Sequence, residues 1–173
     1  MKKKNSVSVS INQKIKKFNK TLKIPGDKST SIRALLLASQ CMGESKIFNL
    51  LLSSDVLDCA KALRTLNVKI VKRKNHYSVY GNGLNSFKIK RKLTRLYCGN
   101  SLTTGRLLAG LLSTIPSKFY IYGDASANRR DFMRVIEPLE KVGARFFPRK
   151  KTLPLTMEGT SLPLAQKHIE TRG

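Results

Sequence analysis

The chain has 173 residues, 40% of them hydrophobic, enough for one ordinary domain or two small ones and unlike a disordered composition. Thirty-four Lys and Arg stand against ten Asp and Glu, a formal charge of +24 that points to an acidic or phosphorylated ligand, or to a polyanion, and opposes compaction. Three scattered cysteines (Cys41, Cys59, Cys98) and two isolated histidines (His76, His168) speak against a zinc site or a disulfide framework, and no apolar run is long enough to span a membrane.

Residues 1–20 are rich in lysine and lack the apolar core of a signal peptide; they contain no arginine, which gives an organelle transit peptide little support. Cytoplasmic residence is the expectation. The Ser-Val alternation of residues 6–10 is a short strand or nothing. Residues 21–25 predict a brief strand ending at Pro25. A helix follows from Ser29 to about Met42, burying Ile32, Leu35 and Leu36, with Gly43 as its stop. Residues 45–51 predict a buried strand. The cluster Ser53-Ser54-Asp55 opens a helix to about Leu66. Short strands are expected at 68–71 and 77–80, with a break at Gly81-Asn82-Gly83 and a loop over 84–92.

The second half predicts the same order. A strand covers 93–97, a helix Ser101 to Leu112 and a strand 117–122. After a loop from Gly123 to Arg130, a helix covers 132–142 with Pro138 inside it, and strands cover 144–147 and 155–158. Proline costs about 3 kcal/mol in a helix interior, but Val135, Leu139 and Val142 keep one apolar register across it, so a kinked helix is expected. Ser29 and Ser101 are about 72 residues apart, and an internal repeat with that spacing is the simplest account. Residues 160–173 read as the lead into a further unit, so the chain is expected to be incomplete.

Three constellations carry candidate chemistry. Lys28, Ser29 and Arg33 occupy the first turns of the first helix. Cations there oppose the helix dipole, which an anion bound between them would explain; a solvated basic cap explains it equally well. Asn100, Ser101, Thr103 and Arg106 repeat the pattern after Gly99. Arg129, Arg130 and Arg134 follow the Gly123 loop, where Asp131 is a candidate cap for the next helix. Arginine offers a fork to phosphate or carboxylate and lysine a point charge. No Ser-His-Asp or Cys-His arrangement and no Walker-type loop is visible.

The stretch Pro25-Gly26-Asp27-Lys28-Ser29-Thr30-Ser31-Ile32-Arg33-Ala34 resembles the N-terminal signature of the 5-enolpyruvylshikimate-3-phosphate synthases (3-phosphoshikimate 1-carboxyvinyltransferases). Gly99-Asn100-Ser101 through Arg106 resembles their second signature, and Gly123-Asp124-Ala125-Ser126 through Arg130, with Glu137-Pro138-Leu139, their third. The resemblance implies an α/β (α+β) enolpyruvyl transferase fold of repeated βαβαββ units, about two of them here: 21–92 and 93–159. Residues 1–20 would belong to a second domain, and 160–173 would begin a third unit.

It also implies transfer of the enolpyruvyl group of phosphoenolpyruvate to the 5-hydroxyl of shikimate 3-phosphate, with release of phosphate, no cofactor, no metal, and a monomer at full length. Lys28 would contact phosphoenolpyruvate, as well as the shikimate phosphate side. Ser29 and Arg33 would hold the shikimate moiety. Arg130 would bind phosphoenolpyruvate, with Asn100 and Thr103 supporting its pocket. Ser101 and Arg106 would be structural. The acid and base are expected outside this chain, which alone would not turn over.

The chain departs from the family pattern at Leu102, where a small residue is usual, and at Gly105, where a larger apolar one is. Leu52 and Ser54 replace acids, and Asp131 replaces a proline. Two rivals remain: a basic protein that binds polyanions or nucleic acid, against which the cations are dispersed and the aromatics few, and a degenerate inactive homologue.

Overall fold

In the computed structural model the described residues are 8–12, 17, 19, 21–89 and 91–164. Of the Ser-Val stretch, residues 8–10 are described and form no strand; residues 165–173, His168 among them, lie outside the described residues. The elements are α1 (Lys28–Gln40), β1 (Met42–Phe48), α2 (Ser54–Thr65), β2 (Lys69–Lys72), β3 (His76–Asn82), β4 (Leu93–Tyr97), α3 (Leu102–Leu112), β5 (Lys118–Tyr122), a single 3₁₀ turn (Ala127–Arg129), α4 (Met133–Lys141), β6 (Arg145–Phe147) and β7 (Leu155–Glu158). No described helix is long and apolar enough to cross a membrane.

Two sheets form. The first has the order β1-β3-β2 and is antiparallel; the second has the order β4-β5-β7-β6, with β4 parallel to β5 and the other pairs antiparallel. Removing β4 leaves the second sheet with the pairing order of the first. Strand alternation decides the layering. Leu96, Phe119, Ile121, Leu155, Met157 and Phe146 turn inward and are buried, whereas their neighbours Arg95, Tyr120 and Thr156 face out. Val79 and Ile70 do the same for the first sheet. The inner faces close on helical stripes: Ile32, Leu35 and Leu36 from α1, Val56, Cys59 and Leu63 from α2, and Leu108 and Leu112 from α3. The result is one core shared by both halves.

The echo between halves extends to backbone contacts. A methyl group on Gly81 of β3 would stand 2.2 Å from the Cys41 carbonyl oxygen and 2.5 Å from that of Ala38; one on Gly159 would meet Ile115 and Leu112 oxygens at 2.2 and 2.4 Å. Gly81 in β3 and Gly159 just after β7 let the chain pass directly over the ends of α1 and α3. Asn67 and Gly143, both with positive φ, end α2 and α4 alike. These pairs stand a few residues wider apart than Ser29 and Ser101, so the second half carries small insertions.

Several boundaries differ from the sequence expectation. Residues 21–25 form no strand: Leu22 and Ile24 are exposed, and the one side-chain tie to them is the Asn49 amide donating to the Ile24 carbonyl at 3.3 Å. The residues that would parallel β4 in the first half thus make no ladder with β1. Gly43 lies inside β1 rather than stopping α1, which ends at Gln40 with Cys41 as its cap. Gly81 and Asn82 belong to β3, since helix α1 leaves room over a glycine. Helix α4 runs through Pro138 as one element, as the apolar register required.

Candidate active site

The turn before α1 is built on a close approach: a methyl on Gly26 would fall 2.1 Å from the Asn49 carbonyl oxygen. Asp27, not Ser29, caps the helix, its carboxylate accepting the Thr30 N–H at 2.7 Å. That backbone bond, first among several, holds the Asp27 carboxyl below its ordinary pKa. The Ser29 hydroxyl is therefore not used as the cap. Lys28 is the first helical residue. Its ammonium lies 3.2 Å from Asp55 Oδ2 on the first turn of α2, which offsets its unfavourable place at the positive end of the dipole.

The turn before α3 follows the same logic. Gly99 has φ +58°, and a methyl there would stand 2.3 Å from Asp58 Oδ2. Only glycine fits both the left-handed backbone and the gap. Ser101 Oγ accepts the Thr104 N–H at 3.2 Å and caps α3. The first N–H groups of α3, on Leu102 and Thr103, have no acceptor within the helix.

The third segment joins the second through side chains. Asp124 Oδ1 accepts the Ala127 N–H and Oδ2 accepts the Asn100 amide, both at 2.8 Å. Those two bonds, the backbone one first, keep the Asp124 carboxyl below its ordinary pKa. Asn100 Oδ1 in turn receives Arg130 Nη2 at 2.5 Å. Ser126 Oγ receives the same nitrogen at 3.1 Å, and the Asn100 carbonyl receives Nη1 at 3.3 Å. Arg106 donates from Nη2 to the Asp131 carbonyl at 2.5 Å, while its buried Nε has no partner. The cap of α4 is Phe132 rather than the expected Asp131, whose Oδ1 accepts the Met133 N–H at 2.6 Å from one position earlier.

These segments converge. Lys28, Asn100, Ser101, Leu102, Thr103, Arg106 and Arg130 line one open cleft of about 280 Å³. Three cations and the N-termini of two helices face it, and no carboxylate is among its lining residues. Six of the ten candidate residues meet here; Arg129 and Arg134 are exposed and are not among its lining residues. Ser29, half buried, and Arg33, exposed, lie on α1 beyond the lining of this cleft. Arg106, read as structural, both ties α3 to Asp131 and lines the cleft.

Leu102 lines it too, yet its side chain is only 5% exposed. Gly105 does not compensate for it: the atoms nearest a methyl at Gly105 belong to Cys98, Phe132 and Ile121. Burial pushes the Cys59 and Cys98 thiols up to about 12, which leaves them neutral and poor nucleophiles. The sequence did not signal the partners of the cations. Asp55 holds Lys28 across two helices, and Ser126 and Asp124 act on Arg130 through a loop whose folded path brings them together.

The chain is similar to known proteins over most of its length. Residues 12–172 match the family model of EPSP synthase (3-phosphoshikimate 1-carboxyvinyltransferase). The chain is 39% identical over 147 residues to the 3-phosphoshikimate 1-carboxyvinyltransferase of Cereibacter sphaeroides, covering 84% of this chain and 33% of that protein. It is 36% identical over 155 residues to the enzyme of the same name from Clostridium tetani, covering 90% of this chain and 35% of that one. A solved structure of EPSP synthase from Acinetobacter baumannii superposes with a TM-score of 0.73 at 30% identity, over 84% of this chain and 35% of that chain. The chain thus spans about a third of the length of the relatives it matches. Its mixed α/β architecture, its three signature segments and these similarities together show that the chain belongs to the EPSP synthase family.

Proposed function

We propose that this chain supplies one wall of an enolpyruvyl-transfer site, in which phosphoenolpyruvate and shikimate 3-phosphate are held for reaction. The single observation that carries this reading is the convergence of Lys28, Arg106 and Arg130 with two helix N-termini on a cleft lined by no carboxylate. Such a surface attracts multiply anionic ligands from every side. Arg130 and Lys28 take the phosphate and carboxylate of phosphoenolpyruvate, with Asn100 and Thr103 completing that pocket. Ser29 and Arg33, farther along α1, hold the shikimate moiety.

In the transfer, the 5-hydroxyl gives up its proton to a base and its oxygen bonds to C2 of phosphoenolpyruvate, while the C2–C3 double bond opens and C3 gains a proton. The tetrahedral adduct then loses a C3 proton and expels phosphate from C2. Cations that hold both ligands reduce the loss of translational freedom and offset charge gathered at the adduct. Among the described residues lining the cleft there is no carboxylate, and the two carboxylates bound to its lining residues, Asp55 and Asp124, are engaged with Lys28 and with Asn100. The chain on its own therefore binds without turning over. Two units, 21–92 and 93–159, build this wall, the second in the order βαβαββ and the first without its leading strand. The cytoplasm suits it, since its three cysteines are free thiols.

Thermal shifts and a phosphate-release assay test the reading together. Millimolar shikimate 3-phosphate plus phosphoenolpyruvate raises the melting temperature more than sulfate at matched ionic strength, Arg130→Ala removes the difference, and no phosphate is released. Equal shifts with sulfate, as a generic polyanion binder gives, overturn the substrate assignment. Phosphate release at an enzyme's ordinary rate overturns the division of labour.

A further inference from the structure

Asn100 carries an amide that can face Arg130 in two ways. Turned one way it presents an oxygen, which accepts from the guanidinium; turned the other it presents an NH₂, which repels it. Asp124 removes the choice. Its Oδ2 is an acceptor and nothing else, so the Asn100 NH₂ must face it, at 2.8 Å, and Oδ1 must face Arg130. The other oxygen of Asp124 is fixed by the Ala127 N–H at 2.8 Å, and the Asp124 N–H donates to the Gly99 carbonyl at 2.9 Å. The carboxylate is thus locked to both loops that it joins. Three bonds from Arg130 then go to Asn100 and Ser126, which leaves two of its five N–H groups for a ligand.

We infer that Asp124 is a positioning residue: through the Asn100 amide it aims the Arg130 guanidinium into the anion cleft. The identity of the anion rests on the proposed function above, but the aiming does not. A carboxylate beside an anion site is electrostatically unhelpful, so its presence needs a geometric reason. The two ideas predict opposite signs. If Asp124 acted only as a charge, neutralising it would tighten anion binding. If it aims Arg130, neutralising it by Asp124→Asn loosens binding, because an amide at that position has one oxygen for two donors. Satisfying Ala127 turns the new NH₂ toward Asn100, whose amide then rotates and offers NH₂ to Arg130. Exchanging the two side chains repairs this. A carboxylate moved to position 100 accepts from the amide at position 124 on one oxygen and from Arg130 on the other, at unchanged net charge.

The test compares the native chain, Asp124→Asn, and the exchanged pair N100D/D124N by nitrogen NMR of the arginine guanidinium groups and by calorimetry with phosphoenolpyruvate. The Arg130 signals, assigned by loss in Arg130→Lys, show hindered rotation about Cζ–Nε in the native chain, free rotation in D124N, and hindered rotation again in the exchanged pair. Affinity falls about tenfold in D124N, the equivalent of one charge-assisted hydrogen bond, and the exchanged pair is judged by the guanidinium signals alone, because its carboxylate then lines the anion cleft. Continued hindrance in D124N, unchanged or tighter binding there, or free rotation in the exchanged pair overturns the inference. Should D124N fail to fold, the exchanged pair still decides it, since hindered rotation there requires the transplanted carboxylate to hold Arg130. If no variant, including the native chain, binds phosphoenolpyruvate, the functional proposal fails and the NMR signals still judge the aiming.

Discussion

Gly99 shows how much a single position can be asked to do. Its φ of +58° lies where a side chain is strained, and the space a methyl would fill is held by Asp58 Oδ2 at 2.3 Å. Asp58 cannot step aside freely, because it is 9% exposed and pairs with Lys61 at 2.9 Å. Strain and overpacking each cost about 1–3 kcal/mol, so Gly99→Ala is expected to destabilise the chain by about 3 kcal/mol. That corresponds to a fall in melting temperature of roughly 6–12 °C for a chain of this size, measurable by calorimetry. A loss under about 2 °C would show that the loop can relax. The sequence marked this glycine by its neighbours, Asn100 and Ser101, but the reason for it is a carboxylate on helix α2, far earlier in the chain. The same holds for the cations. Lys28, Arg106 and Arg130 were legible as candidates because their residue types suit an anion. What pins each of them (Asp55, the Asp131 carbonyl, the Asn100 amide) is set by packing between segments and leaves no local pattern.

At the scale of elements, helices α1 and α3 begin as their sequences suggest, with polar caps ahead of apolar stripes, and each presents its N-terminus to the cleft. The cap of α1 has a pH signature. The Thr30 N–H bond lowers the Asp27 carboxyl pKa in the folded chain, so Asp27 adds stability above the ordinary carboxylate range. That contribution disappears as pH falls through the lower folded value. Helical circular dichroism followed under denaturant from pH 6 to pH 2 is expected to show an acid-side loss of stability that Asp27→Ala flattens. An identical profile in the variant would assign the loss to other carboxylates. Among the described residues, apolar periodicity placed the four helices and seven strands to within a few residues, although β1, expected to be buried, is largely exposed. The failures share one cause: a strand exists only if a partner completes its ladder. Residues 21–25 have the right composition and no ladder, whereas Gly81 and Asn82 look like a break and are held in β3 by pairing with Gly43 and Met42. Sequence reports composition; pairing is decided by the rest of the molecule.

For the molecule as a whole, charge is the dominant unspent quantity. A formal +24 on 173 residues is spread over exposed side chains, and only three ion pairs form among the described residues. Self-repulsion of this kind is long-ranged at low ionic strength and is screened within about 8 Å at 0.15 M salt. The chain is expected to melt several degrees higher in 0.3 M than in 0.02 M sodium chloride, and higher again with a multivalent anion at equal ionic strength. A melting temperature independent of salt would mean that the excess charge is neutralised within the fold. A different asymmetry comes from the thiols. Cys41 is exposed at the end of α1, while Cys59 and Cys98 are sealed in the core. The folded chain is therefore monovalent toward oxidation: one exposed sulfur can join one other chain, so air can make covalent pairs of native molecules but cannot extend them into polymers.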